Sequence, residues 1–150
     1  MQKFLIVVGC QEDKLDCISK SDKNRILDYI SSHQHVYDGT LAIVRGNVNG
    51  NRNFRKKDDT IGANGMHLLD FSADDIIEVS GYDIDCKLFR RDVEYHIIGI
   101  STAASVLCCA LSMYSAGFEV KVLSKYCADR KGMHNKAIQI MKAYMEGCVV

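Results

Sequence analysis

Residues 4–8, FLIVV, form an unbroken apolar and β-rich run, the pattern of a strand buried on both faces. A polar segment follows, and Ser21-Asp22-Lys23 leads into a helical pattern with Ile26, Leu27 and Ile30 on one side. Residues 40–44 read as a second short buried strand, opening into RGNVNGNRNFRKKDD, whose Gly and Asn content predicts a long loop with turns. Residues 62–71, with Leu68 and Leu69, read as a short helix or turn, 76–79 as a third strand and 84–91 as a short helix. Residues 95–100 give a fourth strand. The clearest helix spans 102–116, with Val106, Leu107, Ala110, Leu111 and Tyr114 as its apolar stripe and Gly117 as its stop. A fifth strand at 118–123 and a closing helix at 134–145 complete the pattern.

Strands that alternate with helices predict a parallel sheet with right-handed crossovers and helices on both faces. The fold expected is a three-layer α/β/α, Rossmann-like domain over 1–150 with five mainly parallel strands. In such a sheet the ligand crevice lies beyond the carboxyl ends of the strands. That places residues 9–13, 45–57, 80–82, 101–105 and 124–130 at the functional end.

Composition changes this picture little. Nearly half of the 150 residues are apolar (47%) and 25% are charged, as in ordinary globular chains. Lys and Arg number 19, matching 19 Asp and Glu, so no overall field draws the chain to nucleic acid or to an anionic membrane. Seven cysteines, odd in number and without a CxxC pair, suit reduced thiols in a cytosol better than a disulfide framework or a zinc site. The first apolar run is too short for a signal segment, and no stretch reaches the ~20 residues of a membrane helix. The expected location is the cytoplasm.

The stretch HIIGISTAASVLCCALSMYSAGFEVKVLSKYCAD, residues 96–129, resembles the most characteristic block of the isochorismatase-like hydrolases, which include nicotinamidases. That block is a strand ending in Gly, a Gly-x-x-Thr-x-x-Cys-Val turn into a helix, a Gly-Tyr/Phe pair and a further strand. Gly99, Thr102, Val106, Ala110, Gly117, Phe118 and Val120 match it. The opening FLIVVGCQEDKLD is similar to the family's first strand followed by Asp-x-Gln-x-Asp-Phe, with Gln11 and Asp13 in place. The resemblance implies strand order 3-2-1-4-5, a cis peptide at Ile100–Ser101 and a tendency to form homo-oligomers.

The family's chemistry uses an Asp after strand one, a Lys after strand three and a Cys at the start of the helix after strand four. A thiol there is deprotonated readily because the helix amides favour the anion, and nearby N–H groups hold the oxyanion. In this sequence Gly9 stands at the Asp position, Val79 or Ser80 at the Lys position, and Ser105 at the Cys position. Ser105 is either a serine nucleophile, for which it needs a base in reach, or a helix-capping or ligand-contacting hydroxyl. Asp13 and Asp129 are the carboxylates that could turn toward it. Cys108 and Cys109, deeper in the helix, read as core residues, Cys10 as a packed strand-end thiol and Lys87 as a solvated helix residue.

Nicotinamidase-type members also hold a metal through an Asp-x-His pair after strand two. The corresponding Gly46-Asn47-Val48-Asn49 has neither acid nor imidazole, and His33, His35, His67 and His96 are scattered, so no metal site and no cofactor are expected. Arg45, Arg52, Arg55, Lys56 and Lys57 crowd the crevice-end loop, where they could grip a carboxylate or phosphate or simply stay solvated beside Asp58 and Asp59. Phe54 is the only aromatic there, too few for base stacking.

The reading is a catalytically inactive relative that binds a small anionic metabolite through Gly9, Arg45, Asn47, Arg52, Ser101, Thr102 and Ser105. The alternatives are an amide or C–N/C–O hydrolase acting through Ser105 or a nearby thiol, and an oligomeric interaction protein without ligand.

Overall fold

The computed structural model describes residues 1–45, 73–79 and 81–150, the side chains of Glu12, Asp13 and Arg45 excepted. Strands β1 (Gln2–Val8), β2 (Gly39–Arg45), β3 (Asp75–Val79), β4 (Val93–Ile100) and β5 (Glu119–Ala128) form one parallel sheet in the order β3-β2-β1-β4-β5. Helices α1 (Glu12–Leu15) and α2 (Lys20–His33) cover one face, and α3 (Leu107–Ser115) and α4 (His134–Tyr144) the other.

The apolar run of β1 explains the two layers. Leu5 and Val7 point into a core with Leu15, Ile26, Ile30, Ile98 and Ile100. Ile6 and Val8 point the other way, toward Tyr95, Ile97, Val106, Met113 and Met141. Alternate side chains of one central strand thus serve two cores, which is why the run carries no polar residue. Val8 pairs with Ile43 on one side and Gly99 on the other, so three strands end level and their loops converge.

The strand order and parallel pairing are as the sequence implied, and the bond at Ile100–Ser101 is cis. Helix α2 starts earlier than expected because Ser19, not Ser21, caps it, its side chain accepting from the backbone N–H of Asp22 at 3.1 Å. Gly117 ends α3 as predicted: with φ +82°, its N–H reaches Tyr114 O and that of Phe118 reaches Met113 O, a Schellman closure.

Three expectations need correction. The short helix at 84–91 is only a 3-10 turn over Cys86–Leu88, because Asp85 accepts from the N–H of Lys87 and the chain then extends to bury Phe89 against Tyr95 and Phe118. Lys87 is solvated on that turn rather than on a helix.

The helix after β4 opens as a π-turn, Thr102–Val106, and buries Val106, Cys109, Ala110 and Met113. Leu111 and Tyr114 of the predicted stripe are exposed. Residues 106–114 are apolar on nearly every side, so two stripes overlap and only packing selects one.

Strand β5 runs on to Ala128, since pairing lost after Val122 resumes at Cys127 opposite Gly99. The expected helix or turn at 62–71 and the loop from residue 46 lie outside the described residues. Among the described residues no helix is long and apolar enough to cross a membrane.

Candidate functional site

The loops that follow β1, β3, β4 and β5 converge on a cavity of about 20 Å³ at the carboxyl end of the sheet. Its polar walls are Gln11, Lys14, Tyr82, Ser101, Ser105 and Arg130, and its floor includes Val8, Gly9 and Ile100. A water needs roughly 10–15 Å³ by this measure, so the space between the described walls is that of a small polar group.

Gly9 adopts φ +61° and donates its N–H to Ile43 O at 2.9 Å. A Cβ at this position would lie 2.3 Å from the carbonyl oxygen of Ile100. The backbone therefore passes where an acidic side chain would have to begin. Val79 reaches the cavity from β3; Ser80, Asn47 and Arg52 lie outside the described residues, as does the side chain of Arg45.

Ser105 sits half-buried on the π-turn and lines the cavity, but its hydroxyl makes no hydrogen bond among the described residues. Thr102 does not line the cavity. It is fully buried and its Oγ1 lies 2.8 Å from His134 Nδ1 on the opposite side.

Asp129 is also engaged elsewhere. One carboxylate oxygen accepts from Ala103 N at 3.0 Å, the other from Lys131 N at 2.9 Å and Met133 N at 3.0 Å. Burial pushes this carboxyl up, but the three N–H donors and the nearby His134 outweigh it and hold the pKa below the usual carboxylate range. The imidazole and the acid near the turn thus hold the backbone and the Thr102 side chain, away from Ser105.

The two cations were not picked out by the sequence. Arg130 donates Nε to Ser101 Oγ at 3.3 Å and has no carboxylate at ion-pair distance among the described residues. Lys14, on α1, is 5% exposed. It stands where the motif Asp-x-Gln-x-Asp-Phe has Phe, and a cation at an apolar motif position was the signal available. Arg130 lay within the crevice-end stretch 124–130, but no motif singled it out.

The thiols do not supply a nucleophile in the cavity wall. Cys10 and Cys109 are fully buried and desolvation drives both well above the ordinary thiol value, while burial pushes Cys127 up to about 12. Among the described residues no group of three or more His, Cys, Asp or Glu could hold a metal ion.

The five-stranded parallel sheet ordered β3-β2-β1-β4-β5, flanked by helices, matches the fold of solved isochorismatase-like hydrolases. The nicotinamidase from Bacillus subtilis superposes with a TM-score of 0.78 at 21% identity, over 100% of this chain and 99% of its own. The pyrazinamidase of Pyrococcus horikoshii, solved in complex with zinc, gives 0.75 at 20% identity, covering 99% and 97%. An isochorismatase family protein from Desulfovibrio vulgaris gives 0.76 at 16%, covering 99% and 93%. No protein-family model matches the chain, and no curated protein matches its sequence.

Proposed function

We propose that this chain is a binding protein on a hydrolase fold, which holds a small anion, or the carboxylate end of a small metabolite, in the cavity beyond β1 and β4 without turning it over. The observation that carries the reading is Ser105: its hydroxyl lines the cavity, and among the described residues no base is in hydrogen-bond contact with it. A serine attacks only when a positioned base removes its proton. Among the described side chains, His134 and Asp129 already have Thr102 and three backbone N–H groups as partners. Gly9 offers no acid and, at φ +61°, little room for one.

What the cavity wall does hold is a guanidinium and hydroxyls. Arg130 keeps N–H donors beyond the one given to Ser101, and the Lys14 side chain forms part of the same wall. A guanidinium with an adjacent hydroxyl suits a carboxylate or similar oxyanion through charge-assisted hydrogen bonds.

The test pairs turnover with binding. Nicotinamide and simple aliphatic amides should be hydrolysed no faster than in buffer. Calorimetry with acetate and other short carboxylates should show saturable binding that Arg130→Ala or Lys14→Ala weakens tenfold or more. Turnover that Ser105→Ala abolishes would overturn the reading in favour of a serine hydrolase. A flat calorimetric response with a stable homo-oligomer would favour an interaction protein.

A further inference from the structure

Three consecutive residues of the turn after β4 are each gripped by a side chain from the segment after β5. Arg130 donates to Ser101 Oγ at 3.3 Å, His134 Nδ1 lies 2.8 Å from Thr102 Oγ1, and Asp129 accepts from Ala103 N at 3.0 Å. Asp129 also closes its own loop through Lys131 N and Met133 N. The segment therefore moves as one piece with the turn that carries Ser101 and Ser105.

Behind it lies a second, larger cavity of about 430 Å³, between α2, β5 and the start of α4. Two of the three gripping residues, Asp129 and His134, form part of its wall. Its charges are unevenly spent. Asp22 is paired with Arg25, and both oxygens of Asp129 are occupied by backbone donors. Arg25 Nε donates to Lys125 O at 2.8 Å. Lys125 Nζ lies over the Tyr126 ring, 5.8 Å from its centroid, with no carboxylate at ion-pair distance among the described residues, and His134 Nε2 has no hydrogen-bond partner among them. One oxygen of Asp22 is held by Arg25 and both of Asp129 by backbone donors, whereas the Lys125 ammonium, beside the Tyr126 ring, and the second ring nitrogen of His134 can turn to a ligand.

We propose that this second cavity binds a small anion carrying a phosphate or carboxylate group, and that its occupancy is transmitted to the first cavity through His134–Thr102 and Asp129–Ala103. The ligand contacts Lys125 Nζ and His134 Nε2, the latter as donor when Thr102 donates to Nδ1. A shift of the ring then acts on Thr102, which is fully buried and packed at the base of the turn. The transmission half rests on the first cavity being a ligand site; the binding half does not.

The experiment is a ¹H–¹⁵N NMR titration of the full chain with inorganic phosphate and, separately, with acetate; the stronger saturable response identifies the anion class. Saturable millimolar shifts are expected at Lys125, His134 and Asn135, together with Ser101–Ala103. Lys125→Ala should weaken binding at least fivefold. Thr102→Val should keep the His134 response and that of Ala103, which Asp129 reaches directly, but weaken that of Ser101 and position 102, while Thr102→Ser, which retains the hydroxyl, should keep all of them. No saturable shift from either anion overturns the proposal. Responses lost in Arg130→Ala but kept in Lys125→Ala would place the anion in the first cavity, overturning the second site while leaving the proposed function intact. Responses at Lys125 and His134 that survive Arg130→Ala support the second site whatever the first cavity binds.

Discussion

The α-carbon of Gly9 lies against the carbonyl oxygen of Ile100, so close that a Cβ at position 9 would stand 2.3 Å from it. With φ at +61°, the backbone there also sits in the region that side chains with a Cβ disfavour. Restoring an acid by Gly9→Asp should therefore destabilise the fold instead of rebuilding a hydrolase. The left-handed conformation costs about 1–2 kcal/mol and the forced contact about 1–3 more. Urea unfolding should show Gly9→Ala and Gly9→Asp losing similar amounts, because the clash begins at Cβ. A Gly9→Asp variant as stable as the parent would show that the strand end can move aside.

Ser105 should be dispensable for stability. Its hydroxyl makes no hydrogen bond among the described residues, so Ser105→Ala should shift the unfolding free energy by less than about 0.5 kcal/mol. Ser105→Cys should likewise leave nicotinamide hydrolysis at background, since a thiol also needs a group to take its proton. Turnover in the Cys variant would reveal a base within reach.

The layers of this fold were legible because β1 and β2 carry unbroken apolar runs over 4–8 and 41–44, and Gly117 marked its helix end for a definite geometric reason. What escaped the sequence had physical causes as well. The phase of α3 could not be read from a segment in which Leu107, Leu111 and Tyr114 look as ready for burial as Cys109 and Met113. The end of β5 was hidden because residues 123–126 leave the ladder and Cys127 rejoins it, a long-range pairing with Gly99 that local pattern does not encode. The candidate site was half legible. Gly9, Ser101 and Ser105 were placed by the motif, whereas Arg130 lay only within the crevice-end stretch 124–130, with no motif to single it out. Thr102 was taken for a ligand contact, and its pairing with His134 joins residues 32 positions apart.

Asp129 should be the most sensitive polar residue of this region. Its carboxylate accepts from three backbone N–H groups, and hydrogen bonds to a charged group contribute about 1.5–3 kcal/mol each before relaxation. Asp129→Asn replaces one acceptor oxygen with a donor facing N–H, and should cost about 2–4 kcal/mol. The carboxyl's pKa is lowered in the fold, so its contribution is present above the unfolded value near about 3.9 and is lost as pH falls through the folded one. An acid titration of stability should therefore be shallower in Asp129→Asn than in the parent. Equal acid slopes would show that the carboxylate is not held as described.

His134 should give the opposite end of the same segment a dependence at milder pH. Burial is the first cause of its lowered pKa, with Arg25 acting in the same direction and Asp22 and Asp129 opposing. The folded chain thus favours the neutral ring. Between the folded pKa and the unfolded value near about 6.5, the unfolded chain binds more protons, so stability rises with pH across that window and levels off above it. Urea unfolding at pH 8.0 and pH 5.0 should show the parent losing stability at the lower pH by a margin that His134→Gln lacks. The glutamine amide can still reach Thr102, so the variant removes titration while keeping a hydrogen-bonding partner. His33, His35, His67 and His96 remain in both proteins and cancel in the difference. If His134→Gln loses as much as the parent, the ring is not the titrating group, and the neutral Thr102–His134 contact would not be what holds the turn at acid pH.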